Sequence, residues 1–142
     1  MSEGARLSPV SVILCDDVRT EQNGKHIVIG AFAEGINVPH FPATIAVAQF
    51  LVFTTVGQGH ASFELQLRWP GSEPPLPTIQ MEAEVSAPTK PNRLQTAAIP
   101  PMAIVVEEPG EISVYCRNKG DEWQLLRIVD ITLPPTASTN AP

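Results

Sequence analysis

The 142-residue sequence has little charge, and most of the charge it has is acidic. Charged residues make up 17% of the chain, and nine basic residues against fifteen acidic ones give a net charge of -6. No segment carries a run of lysine or arginine. Because nucleic-acid phosphates and anionic membranes attract clustered positive charge, we expect neither as a partner.

The sequence also lacks a long apolar run and an export signal. The longest apolar stretch, Ile45–Phe53, is interrupted by Gln49 and is too short for the roughly 20 residues of a spanning helix. No basic start followed by an apolar segment opens the chain, as a signal peptide would. These features predict no membrane insertion and a cytoplasmic location.

Only two cysteines occur, Cys15 and Cys116, and they lie far apart in the chain. A secreted sandwich could join them across its two sheets, as immunoglobulin domains do. Without an export signal, two buried free thiols with raised pKa are favoured.

Proline, in contrast, is abundant. Fifteen prolines and nine glycines exclude a helical bundle, because proline removes a backbone donor and breaks helix interiors. Segments of alternating apolar and polar residues lie between these turn signals. They predict an all-β fold, a two-sheet antiparallel sandwich of about eight strands that is immunoglobulin-like or similar. Residues 1–133 form the single predicted domain, and residues 134–142 form a flexible C-terminal tail.

Alternation also predicts which side chains fill the core between the two sheets. The core candidates are Phe63, Leu65, Trp69, Ile79, Met81, Val114, Trp123, Leu125 and Ile131. In the last strand, Arg127 occupies a position that alternation assigns to the core, so it is the charged exception to the apolar pattern.

Asn23-Gly24 ahead of an Ile/Val-rich segment predicts a β-hairpin with a two-residue type I′ turn. That turn pairs Gln22 with Lys25, and it pairs Glu21 with His26. This register assigns the following side chains to the apolar face of the hairpin: Val18, Thr20, Ile27 and Ile29.

Asp16 breaks the alternation, since it shares a face with the apolar Leu14 and Val18. Two explanations stay open: a β-bulge near Cys15–Asp17, or burial of Asp16 beside an arginine. Asp16 and Asp17 are also candidates for Ca²⁺ ligands, together with neighbouring loop oxygens. No Asp-x-Asp-x-Asp spacing supports them, and adjacent carboxylates on a strand point to opposite faces.

No catalytic grouping is evident. The histidines at positions 26, 40 and 60 stand alone, and His40 and His60 are interpreted as loop residues. The chain has no Gly-x-Ser-x-Gly elbow and no phosphate-binding loop. We therefore expect no cofactor and rank an enzyme behind the binding functions.

Three features favour binding. The strand predicted between Ile45 and Val56 is apolar on both faces, so Phe50 and Val52 are candidates for an interface. The second is the Pro74-Pro75-Leu76-Pro77 loop, which could dock on an aromatic groove. The third is pairing at a sheet edge, which Pro100-Pro101 would oppose by marking a kink, an edge or a strand start.

Several short strings resemble one known family. The strings are Leu14–Arg19, Asn23–Lys25, Ile29–Phe32 and Phe41-Pro42, followed near the end by Pro109-Gly110 and a hairpin. Together they resemble a family of small uncharacterised bacterial proteins. The resemblance implies a single β-sandwich domain of bacterial origin, and it carries no activity or catalytic residue.

The sequence as a whole favours a non-catalytic cytoplasmic module that binds another protein or a copy of itself. The alternative is a ligand- or Ca²⁺-binding sandwich domain that uses loop carboxylates.

Overall fold

A computed structural model describes residues 4–134 and shows, in that range, nine strands and no helix. The all-β prediction is therefore confirmed. The strands are β1 (Arg6–Thr20), β2 (His26–Ala31), β3 (Gly35–Asn37), β4 (Ala43–Val56), β5 (Gly59–Arg68), β6 (Thr78–Val85), β7 (Gln95–Val106), β8 (Gly110–Asn118) and β9 (Gln124–Thr132).

The strands form two sheets. The first sheet has the order β2-β1-β4-β7, and the second has the order β3-β9-β8-β5-β6. Neighbouring strands are antiparallel except β3, which runs parallel to β9. The expectation of about eight antiparallel strands missed β3, because three residues are too short to show alternation.

The strand order is that of an immunoglobulin-type sandwich. With β2 and β3 set aside, β1-β4-β7 matches the order A-B-E, and β9-β8-β5-β6 matches the order G-F-C-C′. Strands β2 and β3 are an insertion in the chain between β1 and β4, which correspond to strands A and B of that arrangement. One hydrophobic cluster lies between the sheets and includes residues from Ala5 to Ile131.

Seven of the nine predicted core residues contribute to this cluster. Phe63, Leu65, Val114 and Ile131 are fully buried in it. The side chains of Trp69, Ile79 and Met81 are partly buried and pack against it.

The prediction was wrong for Leu125 and Trp123. A β-bulge in β9 inserts Leu126, because Val114 pairs with Arg127 while Tyr115 pairs with Leu125. Leu125 therefore points outward and is 46% exposed, whereas Leu126 packs against the core. Trp123 covers a guanidinium on the outer side of the second sheet.

Arg127, the exception in the pattern, points between the sheets. Its guanidinium donates hydrogen bonds to the carbonyl of Val12 at 3.3 Å, of Phe32 at 3.2 Å and of Ala33 at 2.7 Å. The arginine thus links β9 of the second sheet to β1 of the first and to the chain after β2. A charged residue is tolerated on the core side of β9 because backbone carbonyls accept hydrogen bonds from both terminal guanidinium nitrogens, whereas the buried Nε has no partner among the described residues.

The first hairpin is shifted by one residue from the predicted register. Thr20 pairs with His26, so the two-residue turn is wrong. The Glu21 N–H donates to the Lys25 carbonyl at 2.8 Å, and Gly24 has a φ of 85°. This is a three-residue loop that ends in a left-handed glycine.

The prediction placed Ile27 and Ile29 on the apolar face of the hairpin, with Val18 and Thr20. The shift in register moves both isoleucines to the opposite face. They now pair with Arg19 and Asp17, and they are 42% and 36% exposed.

Neither explanation offered for Asp16 is correct. The register between β1 and β2 shows no shift across Asp16, and the residue is exposed. Gly30, on the opposite strand, has a φ of 65°, and a Cβ at that position would overlap the Asp16 carboxylate. The carboxylate occupies the space left by the missing side chain, which lets it leave the core.

Pro100-Pro101 lies within β7, at the edge of the first sheet. Val47 pairs with Met102 and Gln49 with Ile99, so β7 has one more residue than β4 in this stretch. The predicted kink or edge is confirmed. Two residues without N–H groups are accommodated in a bulge on an edge strand, where fewer donors are needed.

Outside these elements, the predicted tail at 134–142 lies beyond the described residues except for Pro134. In the described part of the chain, no helix has the length and apolar character needed to cross a membrane.

Candidate interaction surface

Strand β4 has two different faces, as its sequence predicted. Odd-numbered residues such as Val47, Leu51 and Phe53 point into the core and are buried. Even-numbered residues point away from the second sheet, and among them Phe50 and Val52 are half-buried. The structure therefore places both interface candidates side by side on the outer side of the first sheet.

The neighbouring strands extend this apolar surface. Ile13 of β1 pairs with Phe50, and Ala98 of β7 pairs with it from the other side. We call this surface the outer face, and its described members are Ser11, Ile13, Cys15, Ala46, Ala48, Phe50, Val52, Thr54, Thr96, Ala98, Ala103 and Val105. None of them carries a charge. The charged Asp17 and Arg19 share this side of β1 but lie at its far end.

Two residues of the outer face are completely buried. Cys15 and Ala48 are each 0% exposed, although neither belongs to the core cluster between the sheets. The Cys15 Sγ lies 3.7 Å from the Ala48 carbonyl oxygen. Burial raises the pKa of the Cys15 thiol.

Cys116 lies in the core, and burial raises the pKa of its thiol as well. Both cysteines are free, which confirms the prediction of two buried thiols. A raised pKa keeps both thiols protonated and unreactive.

His26 contacts the outer face. Its ring lies edge-on to Phe50, with centroids 5.4 Å apart. The predicted pairing of His26 with Glu21 was wrong. The histidine instead shares a hydrogen bond with Thr20 Oγ1 at 3.0 Å, as the shifted register requires.

The outer side of the second sheet is very different. Arg117 Nε donates to Glu64 at 2.7 Å, and its guanidinium lies 4.2 Å from the centre of the Trp123 ring. Arg68 covers Tyr115 in the same way at 3.7 Å. Both arginines are thus paired with an acid or an aromatic ring within the chain, whereas the acidic Glu111 and Asp130 lie opposite each other on the same side.

His60 belongs to this polar side, so its interpretation as a loop residue was wrong. It is the second residue of β5 and lies directly opposite Glu84 of β6. Its Nδ1 is 2.9 Å from Glu84, and its Nε2 is 2.6 Å from Glu82. The alternation of Glu82 and Glu84 was visible in the sequence, but their alignment with His60 depends on a register that the proline-rich loop conceals.

The structure separates the proline-rich candidates from Phe50 and Val52. Residues 74–77 belong to the loop between β5 and β6 in the second sheet, whereas Phe50 and Val52 lie in the first. Pro74 and Pro75 are exposed, while Leu76 and Pro77 are half-buried. The role of this loop in docking stays a prediction.

The calcium candidates are not part of a larger ligand cluster. In residues 4–134, no group of three or more His, Cys, Asp or Glu side chains is arranged to hold a metal ion. Asp17 accepts the N–H of Val18 at 2.9 Å, while Asp16 lies over Gly30. Calcium binding stays a prediction. A bound ion would raise the thermal midpoint, and EDTA would lower it.

Two small clefts lie beside the start of β1. The larger, of about 300 Å³, is lined by residues including Arg6, His60 and Lys119, and the other, of about 250 Å³, includes Arg6, Arg117 and Asp121. Arg6 is ion-paired with Asp121, and Arg117 is ion-paired with Glu64. Most of the charge in these clefts is thus neutralised inside the chain, which makes the outer face the stronger candidate.

Comparison with known proteins agrees with the resemblance seen in the sequence. A search of curated proteins finds no match. A family model described as a family of unknown function, DUF6941, matches residues 10–129. That match covers most of the chain, including parts of both sheets, and the protein therefore belongs to this family of unknown function.

Proposed function

We propose that the protein is a non-catalytic β-sandwich module that associates with a second copy of itself through the outer face. The observation that carries this proposal is the contrast between the two sheets. The outer face has Phe50, Val52 and Ile13 at its centre and no charged member, whereas the outer side of the second sheet carries charged residues, among them the Arg117–Glu64 ion pair. Removing apolar surface from water favours contact through the outer face.

The size of the outer face fits such a contact. The three strands that carry the outer face are spaced about 4.8 Å apart and contribute about ten residues each, so they cover about 15 by 30 Å. That area is of the same order as the roughly 800 Å² that each partner buries in an interface of standard size. Because a two-fold dimer uses the same patch on both copies, one such face is sufficient.

Charge favours this geometry over the alternatives. Each copy has a net charge of -6, so a contact that includes charged residues of the two acidic copies adds close like-charge pairs to the overall repulsion. Edge pairing through β7 is opposed by the bulge at Pro100-Pro101. Face-to-face contact between two first sheets avoids both obstacles.

Sedimentation velocity between about 1 and 100 μM tests the proposal, because weak interfaces form over this range. We expect the wild-type sedimentation coefficient to rise with concentration. Phe50→Lys and Val52→Lys should remain monomeric, because each places a charge in the centre of the contact. Thr78→Lys, an equal charge change on an exposed residue of β6, is the matched control and should behave as wild type.

A wild type that stays monomeric throughout this range would contradict the proposal. So would equal effects of Phe50→Lys and Thr78→Lys in folded protein, as judged by circular dichroism. The cytoplasmic location and the bacterial origin stay predictions.

A further inference from the structure

His60 lies between two carboxylates that belong to one neighbouring strand. Its Nε2 is 2.6 Å from Glu82 Oε1, and its Nδ1 is 2.9 Å from Glu84 Oε1. Both distances are within hydrogen-bonding range. The side chains of His60, Glu82 and Glu84 are all partly or mostly exposed, so protons can reach them from solvent.

This geometry fits a doubly protonated ring beside two ionised carboxylates. An ionised carboxylate only accepts hydrogen bonds, so each of the two contacts needs an N–H from the imidazole. A neutral imidazole has one N–H, and its other nitrogen would place a lone pair against a carboxylate oxygen. Hydrogen bonds from Ser62, His60 and Gln80 lower the pKa of Glu82 and keep it an acceptor.

The other charged groups near His60 come from two further segments. Arg6 at the start of β1 and Lys119 after β8 line the cleft that His60 borders. Both are cations and disfavour a charge on the ring, but Arg6 is paired with Asp121. The direct contacts with Glu82 and Glu84 dominate, and they raise the pKa of His60 above its usual value.

The cluster lies where the second sheet is least supported. β6 is an edge strand whose one neighbour in the sheet is β5, and Glu82 and Glu84 lie near its C-terminal end. Ser62 Oγ donates to Glu82 at 2.8 Å, which adds a second link from β5. Edge strands open more readily than central ones, so side-chain links matter more here.

We propose that His60, Glu82 and Glu84 form a proton-dependent clamp that holds the C-terminal end of edge strand β6 in the second sheet. When His60 loses a proton, one contact is lost and the end of β6 opens more often. Because the pKa of His60 is raised in the fold, its contribution to stability is present below about pH 6.5, as long as the carboxylates stay ionised, and it disappears as the pH rises through the folded-state pKa of His60. The clamp does not depend on self-association.

An NMR titration of the His60 ring nitrogens tests the first half of this proposal. We expect both nitrogens to carry protons to a higher pH in the wild type than in Glu82→Gln/Glu84→Gln, because the double variant removes both anions. His40→Asn, which changes an exposed histidine, should leave the His60 midpoint unchanged. A midpoint that is the same in the wild type and the double variant would overturn the clamp.

Amide hydrogen exchange tests the second half. At pH 6 the amides of residues 82–85 should exchange about two- to fivefold more slowly in the wild type than in His60→Asn, the range expected of exposed ion pairs. At pH 9 the difference between the two proteins should become smaller, since the neutral imidazole keeps only one of its two contacts. Comparing variants at one pH removes the intrinsic pH dependence of exchange. Equal protection at pH 6 would refute the proposal whether or not the protein dimerises.

Discussion

Gly30 and Asp16 show how a single backbone conformation resolves a conflict in the sequence. Alternation places the Asp16 carboxylate towards the core, where an unpaired charge is costly. Gly30 adopts a φ of 65° and has no side chain, so the carboxylate lies above it in contact with solvent. Position 30 therefore requires glycine for two reasons. Its backbone is left-handed, and the Asp16 carboxylate occupies the space that a side chain would fill.

We predict that Gly30→Ala lowers the free energy of unfolding by about 1–2 kcal/mol from backbone strain, with an added cost from the clash with Asp16. Gly24→Ala is the control, since Gly24 has a φ of 85° and nothing near its missing Cβ. Urea unfolding measures both. In an Asp16→Ala background the cost of Gly30→Ala should fall towards that of Gly24→Ala, because the carboxylate is removed and only the Cβ of residue 16, at 3.1 Å, stays close. A cost unchanged by Asp16→Ala would contradict this explanation.

Arg127 is a second residue whose role depends on its surroundings. Its three carbonyl acceptors belong to β1 and to the chain after β2, so it joins β1 and the end of the added strand β2 to the second sheet.

We predict that Arg127→Met destabilises the protein by about 1–3 kcal/mol, because carbonyls that accepted charged donors lose them. Arg93→Met is the control, since Arg93 makes one exposed hydrogen bond, to the Pro91 carbonyl. Thermal or urea unfolding gives the comparison. Equal midpoints for the two variants would show that the cross-sheet contacts contribute nothing.

At the scale of elements, the sequence predicted strands well and registers poorly. The one-sided strands β5, β6 and β8 follow from alternation, which is a local property of the chain. The hairpin register instead depends on whether Asn23-Gly24 forms a two- or three-residue loop, and both loops accept glycine at the last position.

Bulges limited the prediction of the core and of the candidate site for the same reason. A bulge moves every later residue to the opposite face, and nothing in the local pattern marks Leu126 as the extra residue. The two-faced character of β4, and hence Phe50 and Val52, was visible because both parities are apolar. The cluster of His60, Glu82 and Glu84 could not be predicted from the sequence, because the alignment of these residues depends on the β5–β6 loop.

The end of the sandwich where β1 begins is held by Asn118. Its Oδ1 accepts the Leu7 N–H at 3.0 Å, and its Nδ2 donates to the Leu7 carbonyl at 3.0 Å. The side chain thus imitates a β-strand partner and connects β8 of the second sheet to β1 of the first.

We predict that Asn118→Ala costs about 1–3 kcal/mol, because two hydrogen bonds are lost together. Hydrogen exchange should become faster at Leu7 than at Val12, which lies further along β1. Asn37→Ala, which removes one exposed hydrogen bond to Thr132, is the control. Uniform loss of protection along β1 would argue against a local anchor.

At the scale of the whole molecule, the two sheets differ in the charge that their outer sides present to solvent. The second sheet carries charged residues on its outer side, which keep that side hydrated, while the first sheet presents an uncharged outer face. If apolar contact drives association, added salt should not weaken it, because screening reduces the repulsion between two copies of charge -6.

The most direct test of self-association is an isotope-filtered NOE experiment on a mixture of ¹³C-labelled and unlabelled protein at high concentration. We predict intermolecular NOEs from the Phe50 ring and from the methyl groups of Val52 and Ile13, and none from Tyr115 on the opposite sheet. An absence of intermolecular NOEs in the wild type, or NOEs confined to the second sheet, would contradict the account.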